Sequence, residues 1–386
     1  MFSFLPRTVI ILGLVSFLND TASEMITPLL PLYLTATLGA GPVILGLVEG
    51  VAEATASILK LVSGRLADRG WDSKKLVVSG YTVSNTARPL IGFALGWSWV
   101  MVLRFLDRVG KGLRTAPRDA LIASSVTERV RGRAIGFQRS LDHGGAMLGP
   151  MLAFGLLQSG MSMEHVFMAS VVPGGVLILL LLFGLKMPPI IKPDHPPARL
   201  HWRGLDARVK GLVLASGGLA LATTPEAFLV LWAYQGGITV TWVPLMWAAA
   251  SGVKALVSGP AGALSDRFGR LRIVSIGWIA RVLLLIAFAW LPGDGMIVWA
   301  LFLGYAMALA FTEGAERALL GDFAPAEQKG TVFGLYHLLS GIMTLPGALL
   351  FGVVWQLLGM SNAFMMAATL TSISAIVLRV LARSSS

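Results

Sequence analysis

The groups in this chain that could do chemistry are charges set inside apolar stretches. The stretch 97–123 carries Arg104, Asp107, Arg108 and Lys111 at i, i+3, i+4 and i+7, with Arg114 beyond, so they share one helical face. The stretch 7–36 carries Asn19, Asp20 and Glu24, and the two acids, four residues apart, share a face as well. Glu226 lies on 208–235, and Glu313, Glu316 and Arg317 lie on 295–322. Charges are expensive in a bilayer and therefore face a bundle interior or water. An acid in such a place is pulled two ways: burial favours its neutral form, and a nearby cation favours its charged form. Balanced between the two, Asp20 and Glu24 could bind and release a proton as their surroundings change from dry to wet. A structural reading stays open for them, with Asp20 hydrogen-bonded to its neighbour Asn19. The cationic face has two readings too: contact with a substrate or a coupling acid, or an ion-pair network that holds helices together.

The elements that must position these groups are membrane helices. The chain has 386 residues, of which 55% are hydrophobic and 13% charged, and its mean hydropathy is +0.75. A soluble domain carries about a quarter charged residues. Runs of roughly twenty apolar residues read as spanning helices, and twelve are expected: 7–36, 42–67, 75–95, 97–123, 132–158, 163–186, 208–235, 240–267, 272–292, 295–322, 329–358 and 361–382. The first has no small-residue cleavage site after a short apolar core, so it reads as a span rather than a removed signal peptide. Trp232, Tyr234, Trp242 and Trp247 read as interface belt or packing.

The net charge of +11 does not indicate nucleic acid. Its distribution sets orientation. With the N-terminus inside, the Lys and Arg gather in the inner loops, the tails and the adjoining helix ends, and the six outer loops carry none. That asymmetry places both termini in the cytoplasm. There are no cysteines, which excludes disulfides and thiolate metal sites. No G-x-x-x-x-G-K-[ST] loop is present, so ATP is not the driver within this chain.

One short loop occurs twice. The first copy is Gly64-Arg65-Leu66-Ala67-Asp68-Arg69-Gly70, and the second is Gly262-Ala263-Leu264-Ser265-Asp266-Arg267-Phe268-Gly269-Arg270, 198 residues later. Gly132-Arg133-Ala134-Ile135-Gly136-Phe137 is echoed at the same interval by Gly330-Thr331-Val332-Phe333-Gly334-Leu335. Thr223-Thr224-Pro225-Glu226 resembles Thr21-Ala22-Ser23-Glu24, which makes Glu226 a near mate of Glu24. The loop pattern G-x-L-x-D-R, followed by glycine and basic residues, resembles the cytoplasmic loop of the major facilitator superfamily of transporters.

The resemblance implies an all-α membrane protein with twelve transmembrane helices in two pseudo-symmetric six-helix bundles. These would be residues 1–186 and 208–386, joined by a cytoplasmic linker at 187–207. It implies a cavity lined by 7–36, 97–123, 208–235 and 295–322, with Asn19, Arg104, Asp107, Arg108, Lys111, Glu226 and Glu313 as expected substrate contacts. Gly64, Asp68, Arg69, Gly262, Asp266 and Arg267 would then act in gating; the alternative is that these loops only fix topology. The family's helix-four pattern runs near R-x-x-Q-G; here Asp107 stands for the Gln and Arg108 for the Gly. Gly145-x-x-x-Gly149-Pro150 resembles the antiporter motif of the family's exporters, where small residues let helices approach and Pro kinks them. A soft-metal ladder of His143, Met147 and Met151 is the competing reading of that helix.

The expected function is secondary transport of a small organic molecule across the cytoplasmic membrane, coupled to protons, in the direction of efflux. The chain resembles the 12-helix bacterial drug/metabolite:proton antiporters. Uptake or exchange of an anionic metabolite or metal chelate is the alternative, and a membrane-embedded receptor or enzyme is a third class. No cofactor or resident metal is expected. The expected partners are the substrate, protons and lipid, and the protein is expected to act as a monomer.

Overall fold

The computed structural model describes residues 5–184, 207–291, 294–323 and 329–383. Among them there is helix and no strand. The linker expected at 187–207 falls, up to residue 206, outside the described residues.

The first expected span is built as α1 (Arg7–Glu24), a short α2 (Leu30–Leu32) and a π-helical turn at Tyr33–Thr37. Pro28 and Pro31 remove two amide donors there, which is why one regular helix does not run through. Tightened turns carry the rod across the gap: Ile26 N and Thr27 N both donate to Ser23 O, at 3.1 and 3.0 Å. Next come α3 (Pro42–Asp68), α4 (Ser73–Leu90), α5 (Trp97–Ser124) and α6 (Glu128–Gln158). A broken pair, α7 (Met163–Ala169) and α8 (Val171–Gly184), follows. The seventh expected span is another broken pair, α9 (Ala207–Ala222) and α10 (Glu226–Gln235). The remaining helices are α11 (Val243–Phe268), α12 (Arg270–Trp290), α13 (Gly295–Phe323), α14 (Lys329–Leu358) and α15 (Met360–Arg383). Among the described residues, each of the twelve expected segments is thus mainly helical.

Eight helical segments among the described residues are long and apolar enough to cross a membrane. They are Pro42–Ala67, Met163–Gly184 and six in succession from Val213–Gln235 to Met360–Val380. The other long helices, α1, α4, α5 and α6, carry the polar network described below.

Contacts divide the chain into two compact units. The first holds residues up to Leu38, Thr55–Pro197 and Thr241–Ala248; the second holds Gly39–Ala54, Ala198–Val240 and Ala249–Ser386. In the first unit α1 packs on α6 and α8, and α4 packs on α5. Val9, Leu12, Val15, Val77, Tyr81, Leu121, Ile122 and Leu181 form its apolar core. In the second unit α9 packs on α14 and α15, and α12 packs on α13 and α15. Its core includes Val213, Ile273, Trp278, Leu319 and Leu320, with a cluster of aromatic rings in which Phe288 stacks on Phe364 at 5.1 Å.

Lipid tails are as apolar as leucine, so close backbone packing replaces the hydrophobic drive between helices. Glycines supply it. A β-carbon at Gly149 would stand 2.5 Å from Thr21 O and 3.0 Å from Glu24 Cβ, and one at Gly145 would collide with Phe17 O. The seat recurs 198 residues on, in the second unit, where a β-carbon at Gly347 would stand 2.6 Å from Leu221 O. In α6 a proline follows the glycine, as Pro150; in α14 one precedes it, as Pro346. Gly149→Val should therefore force α1 off α6 and lower stability by about 1–3 kcal/mol, the usual cost of overpacking. Thermal unfolding in detergent measures this, and an unchanged melting temperature would show that the seat is slack.

Candidate functional site

The charged face of α5 turns into the first unit. Asp107 is its centre and is 1% exposed. Arg88 Nε, from α4, stands 2.9 Å from Asp107 Oδ1. Arg104 Nη1 and Arg108 Nε each stand 3.7 Å from Asp107 Oδ2. Three guanidinium groups thus surround one carboxylate, all of them buried. Arg88 also ties α1 into the cluster, since its Nη1 donates to Asn19 O at 3.2 Å, Asn19 Oδ1 at 3.0 Å and Asn85 Oδ1 at 3.2 Å. Asn85 Nδ2 donates to Asn19 Oδ1 at 3.3 Å. The α4–α5 approach that permits this is close, because a β-carbon at Gly80 would stand 2.6 Å from Gly110 O.

Arg88 and Asn85 belong to this buried cluster, and the spacing analysis did not select them. The signal for Arg88 was present: an arginine inside the stretch 75–95 is as costly as one inside 97–123. About two turns beyond Asp107 on α5, Arg114 Nη1 donates to Ser84 Oγ at 2.7 Å and lies over the Tyr81 ring, 4.7 Å from its centroid. Beyond it Arg118 donates to Ser16 Oγ at 3.1 Å and Asp119 Oδ1 at 2.9 Å. Gln138 on α6 donates to Asp142 Oδ2 at 2.6 Å. The polar groups of α1, α4, α5 and α6 therefore form a nearly continuous chain through this unit.

The two acids of α1 are held differently. Asp20 Oδ1 accepts from Asn19 Nδ2 at 2.9 Å, the local pair that sequence left open. Glu24 Oε2 accepts from the indole Nε1 of Trp247 at 2.8 Å. Both acids are half-buried, as is Lys111. Gly145 and Gly149 touch α1 at Phe17, Asp20, Thr21 and Glu24, so the close seat lies directly behind the acids. Met147 and Met151, the sulfur atoms of the metal-ladder reading, are exposed.

In the second unit Glu226 is the first residue of α10, just after Pro225, where a carboxylate favours the helix N-terminus. It pairs with Lys254 Nζ from α11. Arg281 on α12 donates to Thr223 Oγ1 at 3.0 Å, in the break between α9 and α10. Glu313 is exposed on α13, and its neighbour Glu316 accepts from Trp278 Nε1 at 2.6 Å.

The duplicated loops share a turn. Gly70 and Gly269 both take positive φ, +84° and +94°, a conformation that costs glycine little. In the first copy Asp72 caps α4, accepting from Lys74 N at 2.9 Å. Gly64 packs near Ala116, Arg69 is exposed, and the side chain of Asp68 lies outside the described residues. In the second copy Asp266 stands 3.4 Å from Arg270, which also pairs with Asp322 on α13. Arg267 lies 5.3 Å over the Phe268 ring, and Gly262 has open space beside it.

Comparisons with known proteins agree with this architecture. The family model described as Major Facilitator Superfamily matches residues 12–347 and again 227–386. An uncharacterised MFS-type transporter of Methanocaldococcus jannaschii is 31% identical over 361 residues, covering 92% of this chain and 89% of that one. The multidrug resistance protein MdtG of Escherichia coli is 30% identical over 305 residues, 72% of this chain and 71% of that one. The solved structure of a bacterial homologue of the human lysosomal transporter Spinster superposes with a TM-score of 0.79 at 17% identity, covering 97% of this chain and 96% of that one. Two half-chain repeats of helices, polar groups buried inside apolar rods and a family match over most of the sequence converge: this chain is a multi-pass membrane transporter, not an enzyme, and it belongs to the major facilitator superfamily.

Proposed function

We propose that the chain is a proton-coupled exporter of a small organic molecule, working by alternating access in the cytoplasmic membrane with both termini inside. The observation that carries this reading is the placement of Glu24 and Asp20, half-buried acids on α1, against the glycine seat of α6 at Gly145 and Gly149. An acid whose surroundings alternate between dry and wet can exchange a proton for each passage. The likeness to a protein named for multidrug resistance supports export. In this reading residues 1–186 and 208–386 are the moving halves, 187–207 joins them, and Gly64, Asp68, Arg69, Gly262, Asp266 and Arg267 gate the inner side. The carrier works as a monomer.

Flux into proteoliposomes under an imposed pH gradient tests it. In exchange against protons the transported compound accumulates on the acid side; in co-transport it accumulates on the alkaline side. Indifference to the gradient would leave a facilitator and remove the coupling claim.

The buried arginines favour an anionic or strongly polar substrate, whichever way it moves. Arg88, Arg104, Arg108 and Arg114 gather four buried guanidinium groups around Asp107. Arg108→Ala and Lys111→Ala should each weaken binding of an identified substrate about tenfold to a hundredfold, the loss of one charge-assisted bond. Isothermal titration measures it across cationic, neutral and anionic compounds. Normal binding by both variants would make this face structural.

A further inference from the structure

We propose that Trp247 positions Glu24 and sets the pH range over which that acid exchanges its proton, an inference that rests on the coupling role given to Glu24 above. The bond from Trp247 Nε1 to Glu24 Oε2 is 2.8 Å long. Trp247 belongs to Thr241–Ala248, the short stretch that packs with the first unit. Its start is anchored there by Trp242, whose ring centroid lies 5.5 Å from that of Phe154 on α6. The stretch thus meets the first unit at Trp242 and again at Trp247, about a helical turn and a half apart.

An indole N–H can only donate. A carboxylate offers it two full acceptor oxygens, whereas a protonated acid offers a weaker one. The bond therefore favours the ionised form. The charged groups near the same carboxyl are Asp20 on α1 and Arg108 and Lys111 on α5. The α6 neighbour is Gly149, which brings no charge. Arg108 and Lys111 act from flexible stems, and Arg108 is already drawn to Asp107. The rigid indole is the partner whose withdrawal would change the acid most abruptly. A carrier that moves Trp247 away from Glu24 would load the proton, and one that returns it would release the proton.

Infrared difference spectroscopy of the reconstituted full chain reads carboxyl protonation without any substrate. The band that Glu24→Gln removes is the Glu24 band. In Trp247→Phe its titration midpoint should move about one to two pH units higher, as expected for losing one bond to a charged group. Trp247→Gln keeps an N–H donor in a smaller side chain, and its midpoint should stay closer to the wild type. An unmoved midpoint in Trp247→Phe overturns the inference, and so does an equal shift in both variants, which would mean packing and not the donor matters. The pH profile of gradient-driven flux should follow the band. If the band shifts and the flux profile does not, Trp247 controls the acid as inferred and the coupling role of Glu24 is what fails.

Discussion

Glu24→Gln is expected to abolish accumulation driven by a pH gradient while substrate exchange at equal pH continues. Glutamine keeps the size of the side chain and an oxygen for the Trp247 donor, but it does not titrate. A gradient of one pH unit is worth about 1.4 kcal/mol per proton, so a coupled carrier can hold a roughly tenfold concentration ratio. The variant should hold a ratio near one. An unpaired carboxylate is costly at this depth and a neutral acid is cheap, so a protein that kept Glu24 only for structure would not be harmed by the neutral amide. Asp20→Asn should behave alike if the pair shares the proton; if Asp20 is only the partner of Asn19, coupling will survive that change. Paired flux measurements with and without the gradient decide the matter. If both variants accumulate substrate as the wild type does, coupling lies elsewhere, with Glu226 and Glu313 the next groups to replace.

Asp107→Ala is expected to cost about 3–5 kcal/mol of stability, because it leaves buried Arg88, Arg104 and Arg108 around an empty place. That is a large part of what any domain has, and expression should fall with it. Asp107→Asn restores the shape and not the charge, and should recover only part. The informative control is the double variant Asp107→Ala, Arg88→Met. Removing the facing cation should return some of the loss, since an uncompensated charge costs more than a missing pair. Denaturant or thermal unfolding of the three proteins gives the comparison. A single variant within about 1 kcal/mol of the wild type would mean that water already reaches the cluster and screens it.

The helices were legible because each is written in consecutive residues. Apolar runs gave twelve segments, and the charges on 97–123 gave one face of α5. The interruptions were less legible. Pro28, Pro31 and Pro225 mark where rods break, yet proline alone does not tell a kink from an end. Partners across helices were hardest. Nothing local to Trp247 separates a donor to Glu24 from an interfacial ring, because that contact joins residues 223 positions apart. Arg88 could have been found by asking where every intramembrane arginine finds an acid. The second glycine seat, at Gly347, could have been found by sliding the Gly149 pattern along the repeat interval.

The concentration of charge in α5, with the polar side chains of α1, α4 and α6 around it, also constrains how the chain is made. Moving an arginine, lysine or aspartate to the centre of an isolated helix costs about 2.5–3.5 kcal/mol on entry from the translocon. Arg104, Asp107, Arg108, Lys111 and Arg114 lie together on α5, so that helix cannot leave the insertion machinery alone into lipid. Arg88 and Asn19, its partners, are on helices synthesised before it. α1 and α4 must then wait at the exit until α5 arrives, and the three enter the bilayer as one package with their polar faces already joined. The eight apolar segments are under no such obligation. Insertion of this carrier is thus expected to be paced by α1, α4 and α5, the helices whose polar side chains pair with one another.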